Sequence, residues 1–141
     1  MKIFGIICEY NPFHNGHARQ LEFCRSNGAD LIFCAMSGDF TQRGEPAVLE
    51  KRIRAKHAVQ SGADLVAELP LPYAAAGAKD FAEGGVKLLE KMGCTHICFG
   101  SECGNISLLE KAAELIDSDS FNNSLKLHVK AGKSYPVSAE L

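Results

Sequence analysis

Short apolar runs and amphipathic stretches follow one another along the chain in a repeating order. Apolar runs begin near residues 2, 30, 63 and 95, at intervals of roughly 30 residues, which is the length of one βα unit. The runs are almost continuously apolar, as expected of parallel strands that are covered on both faces. The pattern therefore predicts four parallel strands joined by helices.

Helical spacing of apolar residues predicts a helix after each strand and one more near the end of the chain. Gly28, Gly62 and Gly93 each stand where a helix ends, in the left-handed conformation that glycine adopts most easily. The second helix is expected to begin at Pro46, because proline is favoured in a first turn. The predicted helices span residues 16–27, 46–61, 78–92, 105–117 and 120–131. With right-handed crossovers, these elements give an α/β fold with a Rossmann-like, three-layer parallel sheet.

Composition and charge narrow the class of protein. The chain has 141 residues, of which 46% are hydrophobic and 23% charged, so it is expected to form one globular domain and not a disordered chain. A net charge of -2 gives no overall positive field towards nucleic acid or an anionic membrane. Glu9 and Asn11 interrupt the opening apolar run well short of the 18 or so residues of a spanning helix. No membrane partner is therefore expected.

The cysteines indicate a reduced compartment. Three or four of the six lie within apolar runs, as buried free thiols do. Free thiols fit this pattern better than a disulfide framework does, and they predict a cytoplasmic location. Strand alternation would place Cys94, His96 and Cys98 on one face, but no second CxxC-type pair completes a tetrahedral zinc site, so no metal site is expected. The six are Cys8, Cys24, Cys34, Cys94, Cys98 and Cys103.

Polar segments rich in Gly and Pro follow the predicted strands. They cover residues 9–17, 37–46, 68–73 and 100–104, whereas the opposite strand ends carry only Gly-Ala-Asp or Gly-Cys-Thr. Ligands of open parallel sheets bind at the carboxyl ends of the strands. The asymmetry therefore predicts a functional site at this edge.

The sequence His14-Asn-Gly-His17 lies at the start of the first predicted helix. Two imidazoles three residues apart can face one ligand together with the unpaired N–H groups of the helix, an arrangement that suits phosphate. Gly16 leaves room for phosphates near the backbone, and Asn11-Pro12 predicts an extended turn before the helix. Alternatively, the two histidines are ordinary surface or capping residues. Their position after the first strand favours phosphate binding.

An HxGH sequence after the first strand resembles the nucleotidylyltransferase and class I aminoacyl-tRNA synthetase superfamily. In order and spacing, longer blocks of the chain resemble the bacterial tRNA(Met) cytidine acetate ligases. These blocks are Gly5–His17, Met36–Ala47, Gly62–Pro70 and Phe99–Glu102.

This resemblance implies an ATP-dependent ligase that activates acetate as acetyl-adenylate and acetylates N4 of the wobble cytidine of elongator tRNA(Met). It implies that His14 and His17 are catalytic and contact the ATP phosphates, and Mg²⁺ is expected with ATP. The implied ATP-binding residues are Ile7, Cys8, Glu9, Tyr10, Asn11, Pro12, Phe13, His14, Asn15, Gly16, His17, Ala18, Arg19, Gln20 and Gly100.

The polar segment after the second strand leaves alternatives open. Arg43 either holds pyrophosphate or tRNA phosphate, which the resemblance favours, or pairs with Glu45 in a solvated turn. Ser37, Asp39 and Thr41 are candidates for shaping an acyl pocket. The basic run that follows is expected to be a solvated helix face, with RNA contact as the less favoured alternative. It comprises Lys51, Arg52, Arg54 and Lys56, with His57.

Members of the resembled family are longer than this chain. Residues 1–141 are thus expected to be a nucleotidylyltransferase-like, ATP-binding domain truncated at its C-terminal end. The part after Tyr135-Pro136 is expected to hold further ATP contacts and most of the RNA-binding surface. Two other functions stay open, a small-molecule adenylyl- or cytidylyltransferase that uses the same histidines, and a nucleotide-binding fragment without turnover.

Overall fold

A computed structural model of the chain describes residues 1–134. The chain divides into two compact units, Met1–Phe99 and the part from Gly100 onwards. That residues 1–141 form one domain stays a prediction, and Tyr135-Pro136 lies outside the described residues.

The first unit contains a sheet of four parallel strands in the order β3-β2-β1-β4. This sheet and its flanking helices confirm the predicted α/β, Rossmann-like class. The apolar run near residue 95 contributes less than expected, because only two of its residues pair with β1. The strands are β1 Ile3–Cys8, β2 Leu31–Ser37, β3 Leu65–Leu69 and β4 His96–Ile97.

Four helices accompany the sheet in the first unit. The predicted left-handed helix ends are confirmed, with φ of 84° at Gly28, 114° at Gly62 and 83° at Gly93. A one-turn helix, α3, begins in the polar segment 68–73, where no helix is predicted. Pro72 lies in its first turn, where proline is tolerated. The helices are α1 Asn15–Ser26, α2 Lys51–Gln60, α3 Leu71–Ala74 and α4 Ala78–Lys91.

Helices cover both faces of the sheet. Ile6 pairs with Cys34 and Cys34 with Val66, and this row packs in one core cluster with residues of α1 and α2. The neighbouring β1 residue, Ile7, points to the opposite face. There a Cβ on Gly85 of α4 would lie 2.6 Å from Ile7 Cδ1, so α4 packs directly on β1 because position 85 has no side chain. The three layers are as predicted.

The start of α2 differs from the prediction. The helix begins at Lys51 and not at Pro46. Before it, Thr41 N–H donates to the Glu45 carbonyl, Ala47 N–H donates to Asp39, and Phe40 and Pro46 form an isolated β-bridge. These groups close a loop, here called the β2–α2 loop (residues 38–50), and so cannot form helical hydrogen bonds. Within residues 1–134, no ion pair joins Arg43 to Glu45.

The second unit contains α5 (Ile106–Ile116) and α6 (Asp119–Lys130). Asn105 caps α5 by accepting from Leu108 N–H at 3.3 Å. Ser118 caps α6 by accepting from Phe121 N–H at 3.2 Å. Both helices confirm the prediction to within two residues. Among residues 1–134, no helix combines the length and the apolar character needed to cross a bilayer.

Candidate functional site

His14 and His17 together begin α1. His14 is the N-cap residue, and its Nδ1 accepts from Gly16 N–H at 3.1 Å. In return, His14 N–H donates to Nδ1 of His17 at 3.2 Å. This is a capping box in which both acceptors are imidazoles. Because each Nδ1 accepts, each neutral ring carries its proton on Nε2, which is left to donate to a ligand. The two histidines are thus capping residues whose other nitrogens remain available.

The two imidazole rings lie against one another. Their centroids are 3.6 Å apart and their planes differ by 22°. Tyr10 and Phe13 support His17, with ring centroids at 4.8 Å and 5.5 Å. Burial, and secondarily the proximity of His14, lowers the pKa of His17 below 6.5. His17 is therefore an uncharged donor at neutral pH.

Gly16 is required by the packing of this pair. A Cβ at position 16 would lie 2.9 Å from His14 Cε1 and 3.0 Å from His14 Nδ1, closer than such atoms normally approach. The contact with the His14 ring is a separate reason for glycine at this position, and the predicted role of Gly16, room for phosphates, stays a prediction. The expectation of unpaired first-turn N–H groups is wrong for Gly16 and His17, since their N–H groups donate to the ring and the carbonyl of His14.

Side chains within the predicted ATP-binding stretch also hold neighbouring segments in place. Glu9 Oε1 accepts from Gln42 N–H at 2.6 Å, and Asn11 Oδ1 accepts from Val48 N–H at 2.7 Å. Gln20 Nε2 donates to the carbonyl oxygen of Cys98 at 3.3 Å. The end of β1 and the first turns of α1 are therefore tied to the β2–α2 loop and to the segment after β4.

The other predicted ATP-binding residues belong to the same stretch, apart from Gly100. Gly100 is the first residue of the second unit, and its part in a site stays a prediction. Ile7 and Cys8 end β1, with side chains on opposite faces of the sheet. The remaining residues occupy the turn, which contains a cis peptide bond between Asn11 and Pro12, and the beginning of α1. They are Pro12, Asn15, Ala18 and Arg19.

Arg54 contradicts the expectation of a solvated basic face. Its side chain is 0% exposed, and it donates only to main-chain carbonyls. Nη1 contacts Glu9 and Ser37, Nη2 contacts Gly38, and Nε contacts Leu49 at 2.9 Å. This guanidinium therefore joins the carboxyl ends of β1 and β2 to the start of α2. One sequence signal could have found it, because Arg54 precedes the buried Ala58 by one helical turn.

The candidates for an acyl pocket lie in different surroundings. Ser37 is buried, and its hydroxyl forms no hydrogen bond within residues 1–134. Thr41 is also buried. Asp39 is exposed and pairs with Lys51, at 3.2 Å between Oδ2 and Nζ. A shared acyl pocket of these three residues stays a prediction.

All six cysteines are free thiols. Cys24 and Cys34 are buried in the core, and burial raises the pKa of Cys8 well above the ordinary thiol value. His96 stacks on Phe4, with ring centroids 4.8 Å apart. In the described part of the chain, no group of three or more His, Cys, Asp or Glu side chains is arranged to hold a metal ion.

Comparison with known proteins decides the family. The family model for the HIGH nucleotidyl transferases matches residues 1–141. The chain belongs to the HIGH nucleotidyl transferase family.

Proteins similar to this chain carry the name tRNA(Met) cytidine acetate ligase. The protein from Acetivibrio thermocellus is 47% identical over 99% of this chain, and that from Bacillus subtilis is 45% identical over 100% of it. A crystal structure of Thermotoga maritima TmcAL bound with alpha-thio ATP has a TM-score of 0.90 and 40% identity over 99% of this chain. The chain spans only 35% of the length of the two relatives and 34% of the solved one.

Proposed function

We propose that the stretch Ile7–Gln20 binds ATP and that His14 and His17 donate from Nε2 to its phosphates. The observation that carries this is the pair of stacked rings, whose Nδ1 atoms are both occupied at the start of α1. The site lies at the carboxyl end of β1, where open parallel sheets bind ligands. The similar Thermotoga maritima protein is bound with alpha-thio ATP, which supports the same ligand here.

The reaction proposed for the whole protein is that of an acetate ligase. A carboxylate oxygen of acetate attacks the α-phosphorus of ATP, and the bond to the β-phosphate oxygen breaks, which gives acetyl-adenylate and pyrophosphate. The N4 amine of the wobble cytidine of elongator tRNA(Met) then attacks the acetyl carbon. AMP leaves, and N4 loses a proton. The names of the similar proteins support this reaction.

In the first step, negative charge grows on the oxygens of the α-phosphate. Two fixed N–H donors stabilise that charge more strongly in the transition state than in bound ATP, so they accelerate the reaction and do not merely tighten binding. Tyr10 and Phe13 hold the His17 ring in place, so little reorganisation is needed. We propose that Mg²⁺ comes with the triphosphate, as it commonly does in nucleotide sites.

The remaining parts of the proposal concern the rest of the protein. We propose that Gly100 lies beside the nucleotide, where glycine permits close approach of the backbone. Most of the RNA-binding surface is assigned to regions beyond this chain, because its own net charge is -2 and its similar relatives are much longer. Six free thiols fit a cytoplasmic location.

Binding of a non-hydrolysable ATP analogue, measured by calorimetry, tests the site. His14→Ala and His17→Ala should each weaken binding by about tenfold, the effect of losing one hydrogen bond to a charged group. His57→Ala on α2 is the matched control and should bind as the wild type does. Unchanged affinity in both site variants would remove the histidines from the site.

Turnover tests the reaction. With ATP and radiolabelled acetate, we expect the whole protein to release pyrophosphate and form acetyl-adenylate, and His17→Ala should lower its single-turnover rate. Pyrophosphate release that requires a phosphorylated metabolite and not acetate would favour a small-molecule nucleotidylyltransferase. ATP binding without any turnover would instead identify the chain as a nucleotide-binding unit and contradict ligase activity in this chain.

A further inference from the structure

A cavity that is separate from the histidine pair lies between the first turns of α2 and the β3 side of the sheet. Its volume is about 400 Å³, within the range of about 300–1,000 Å³ that is typical of small-molecule sites. No residue of the stretch Ile7–Gln20 lines it. The lining residues are Met36, Lys51, Arg52, Ala55, Val66 and Glu68.

One side of the cavity is apolar. Met36 on β2 and Val66 on β3 belong to the same face of the sheet, and Ala55 of α2 lies opposite them. Such walls suit the flat faces of an aromatic ring, and methionine adapts readily to such surfaces. This side of the cavity therefore suits a planar group.

The other side carries one fixed acceptor and one free donor. Lys51 Nζ lies 2.9 Å from Oε1 of Glu68 and so holds this carboxylate in place. Oε2 of Glu68 forms no hydrogen bond within the described residues. In the same range, the exposed Arg52 guanidinium has no hydrogen bond or ion pair. A ligand thus meets an acceptor for an amino group beside a donor for a ring nitrogen or carbonyl.

We propose that this cavity binds the cytosine base of the RNA acceptor, extruded from its stack. The N4 amino group donates to Glu68 Oε2, and N3 and O2 accept from Arg52. Carboxylates accept from cytosine N4, and enzymes read extruded bases along this edge. Uracil presents a carbonyl oxygen at position 4, which would face the carboxylate. The assignment rests on the proposed function, in which cytidine N4 is the acceptor.

The sheet places the cavity within reach of the proposed ATP site. Glu68 is paired with Met36, and Met36 is paired with Cys8 at the end of β1. The three residues form one row across three strands, so the backbone of Glu68 lies two strand spacings, roughly 10 Å, from that of Cys8. A nucleotide held at Glu68 is therefore near the carboxyl end of β1, where the adenylate would form.

Titration by NMR with cytidine 5′-monophosphate tests the cavity, with the chain first saturated with the ATP analogue. We expect the cytidine nucleotide to bind at least tenfold more tightly than uridine 5′-monophosphate, with amide shifts centred on residues 51–55 and 66–68. Glu68→Gln should abolish this preference, and Arg52→Gln should weaken binding of both nucleotides. Glu50→Gln and Lys56→Gln are matched controls from the same region and should behave as the wild type.

Equal affinity for the two pyrimidines, tighter binding of AMP, or shifts confined to residues 7–20 would each overturn the cytosine assignment. These outcomes are distinguishable from failure of the proposed function, because that is read from the ATP analogue and from the histidine variants. If Glu68→Gln does not fold, two measurements still test the cytosine assignment. They are the preference of the wild type for the cytidine nucleotide over the uridine nucleotide, and the weaker binding of both nucleotides to the exposed variant Arg52→Gln.

Discussion

The two helices that cover one face of the sheet begin by different means. The start of α1 is closed locally, by His14 and His17, which are three residues apart. The start of α2 has no side-chain cap at Glu50. It is held by Arg54, which reaches the carbonyls of Glu9 and Gly38 on two other segments.

The comparison shows that the side chains at a helix start can leave donors available for a ligand or can order other segments of the protein. At α1 the cap uses one nitrogen of each ring and leaves the other for a ligand. At α2 the cation is buried and contacts the protein alone, so it orders the loop after β2 and the end of β1. Burial lowers the pKa of Arg54, but a guanidinium remains charged, and the carbonyl oxygens around it replace its lost hydration.

Removal of the buried cation should have the largest effect. Arg54→Met leaves the carbonyls of Glu9, Gly38 and Leu49 without their donor, so we expect the free energy of unfolding to fall by about 3 kcal/mol or more. Urea denaturation measures this change. Arg52→Met, on the exposed side of the same helix, is the matched control and should change stability by less than about 0.5 kcal/mol. Equal midpoints for the two variants would contradict the role assigned to Arg54.

Displacement of the His14 ring should have a smaller and more selective effect. Gly16→Ala forces the ring away from Gly16 N–H, so binding of the ATP analogue should weaken by about tenfold. Stability should change little, since alanine gains up to about 1 kcal/mol over glycine in a helix, which offsets the lost cap. Calorimetry and urea denaturation of one sample separate the two quantities. A loss of stability with unchanged affinity would show that the cap serves the helix alone.

The smallest effect concerns pH. The pKa of His17 in the folded chain lies below 6.5, the ordinary value that we take for the unfolded chain. At a pH between the folded and the unfolded pKa, the unfolded chain therefore binds more protons. Stability should therefore be full above about pH 6.5 and should decline as the pH falls through the lower folded pKa. Urea midpoints measured from roughly pH 5 to 7 should show this slope in the wild type and a flatter profile in His17→Gln. The same slope in the variant would assign the dependence to another group.

The comparison also explains what could be predicted from the sequence. Local signals were sufficient where the structure is local, as for Gly28, Gly62 and Gly93 at the helix ends and for the two histidines at one helix start. The prediction that α2 begins at Pro46 was wrong, because the hydrogen bonds that close the β2–α2 loop join residues whose pairing depends on the folded sheet. Arg54 was interpreted as a surface charge for the same reason, since its partners are carbonyls on other segments. The role predicted for Gly16, room for phosphates, stays a prediction, and its contact with the His14 ring depends on a rotamer that the sequence does not specify.

The capping box at α1 has a further consequence for how the proposed ATP site would hold and release phosphate groups. Because Nδ1 of each ring accepts a hydrogen bond, the N–H group that each ring can offer to a ligand is on Nε2, and it attracts as a dipole and not as a full charge. Attraction of this kind depends on alignment and short distance, and it is screened by salt far less than the attraction between full charges. In the proposed ATP site, well-aligned phosphate groups would therefore be held firmly, whereas a leaving group that rotates away would no longer be attracted. In the proposed reaction pyrophosphate leaves in every cycle, and an attraction that depends on alignment would favour its release.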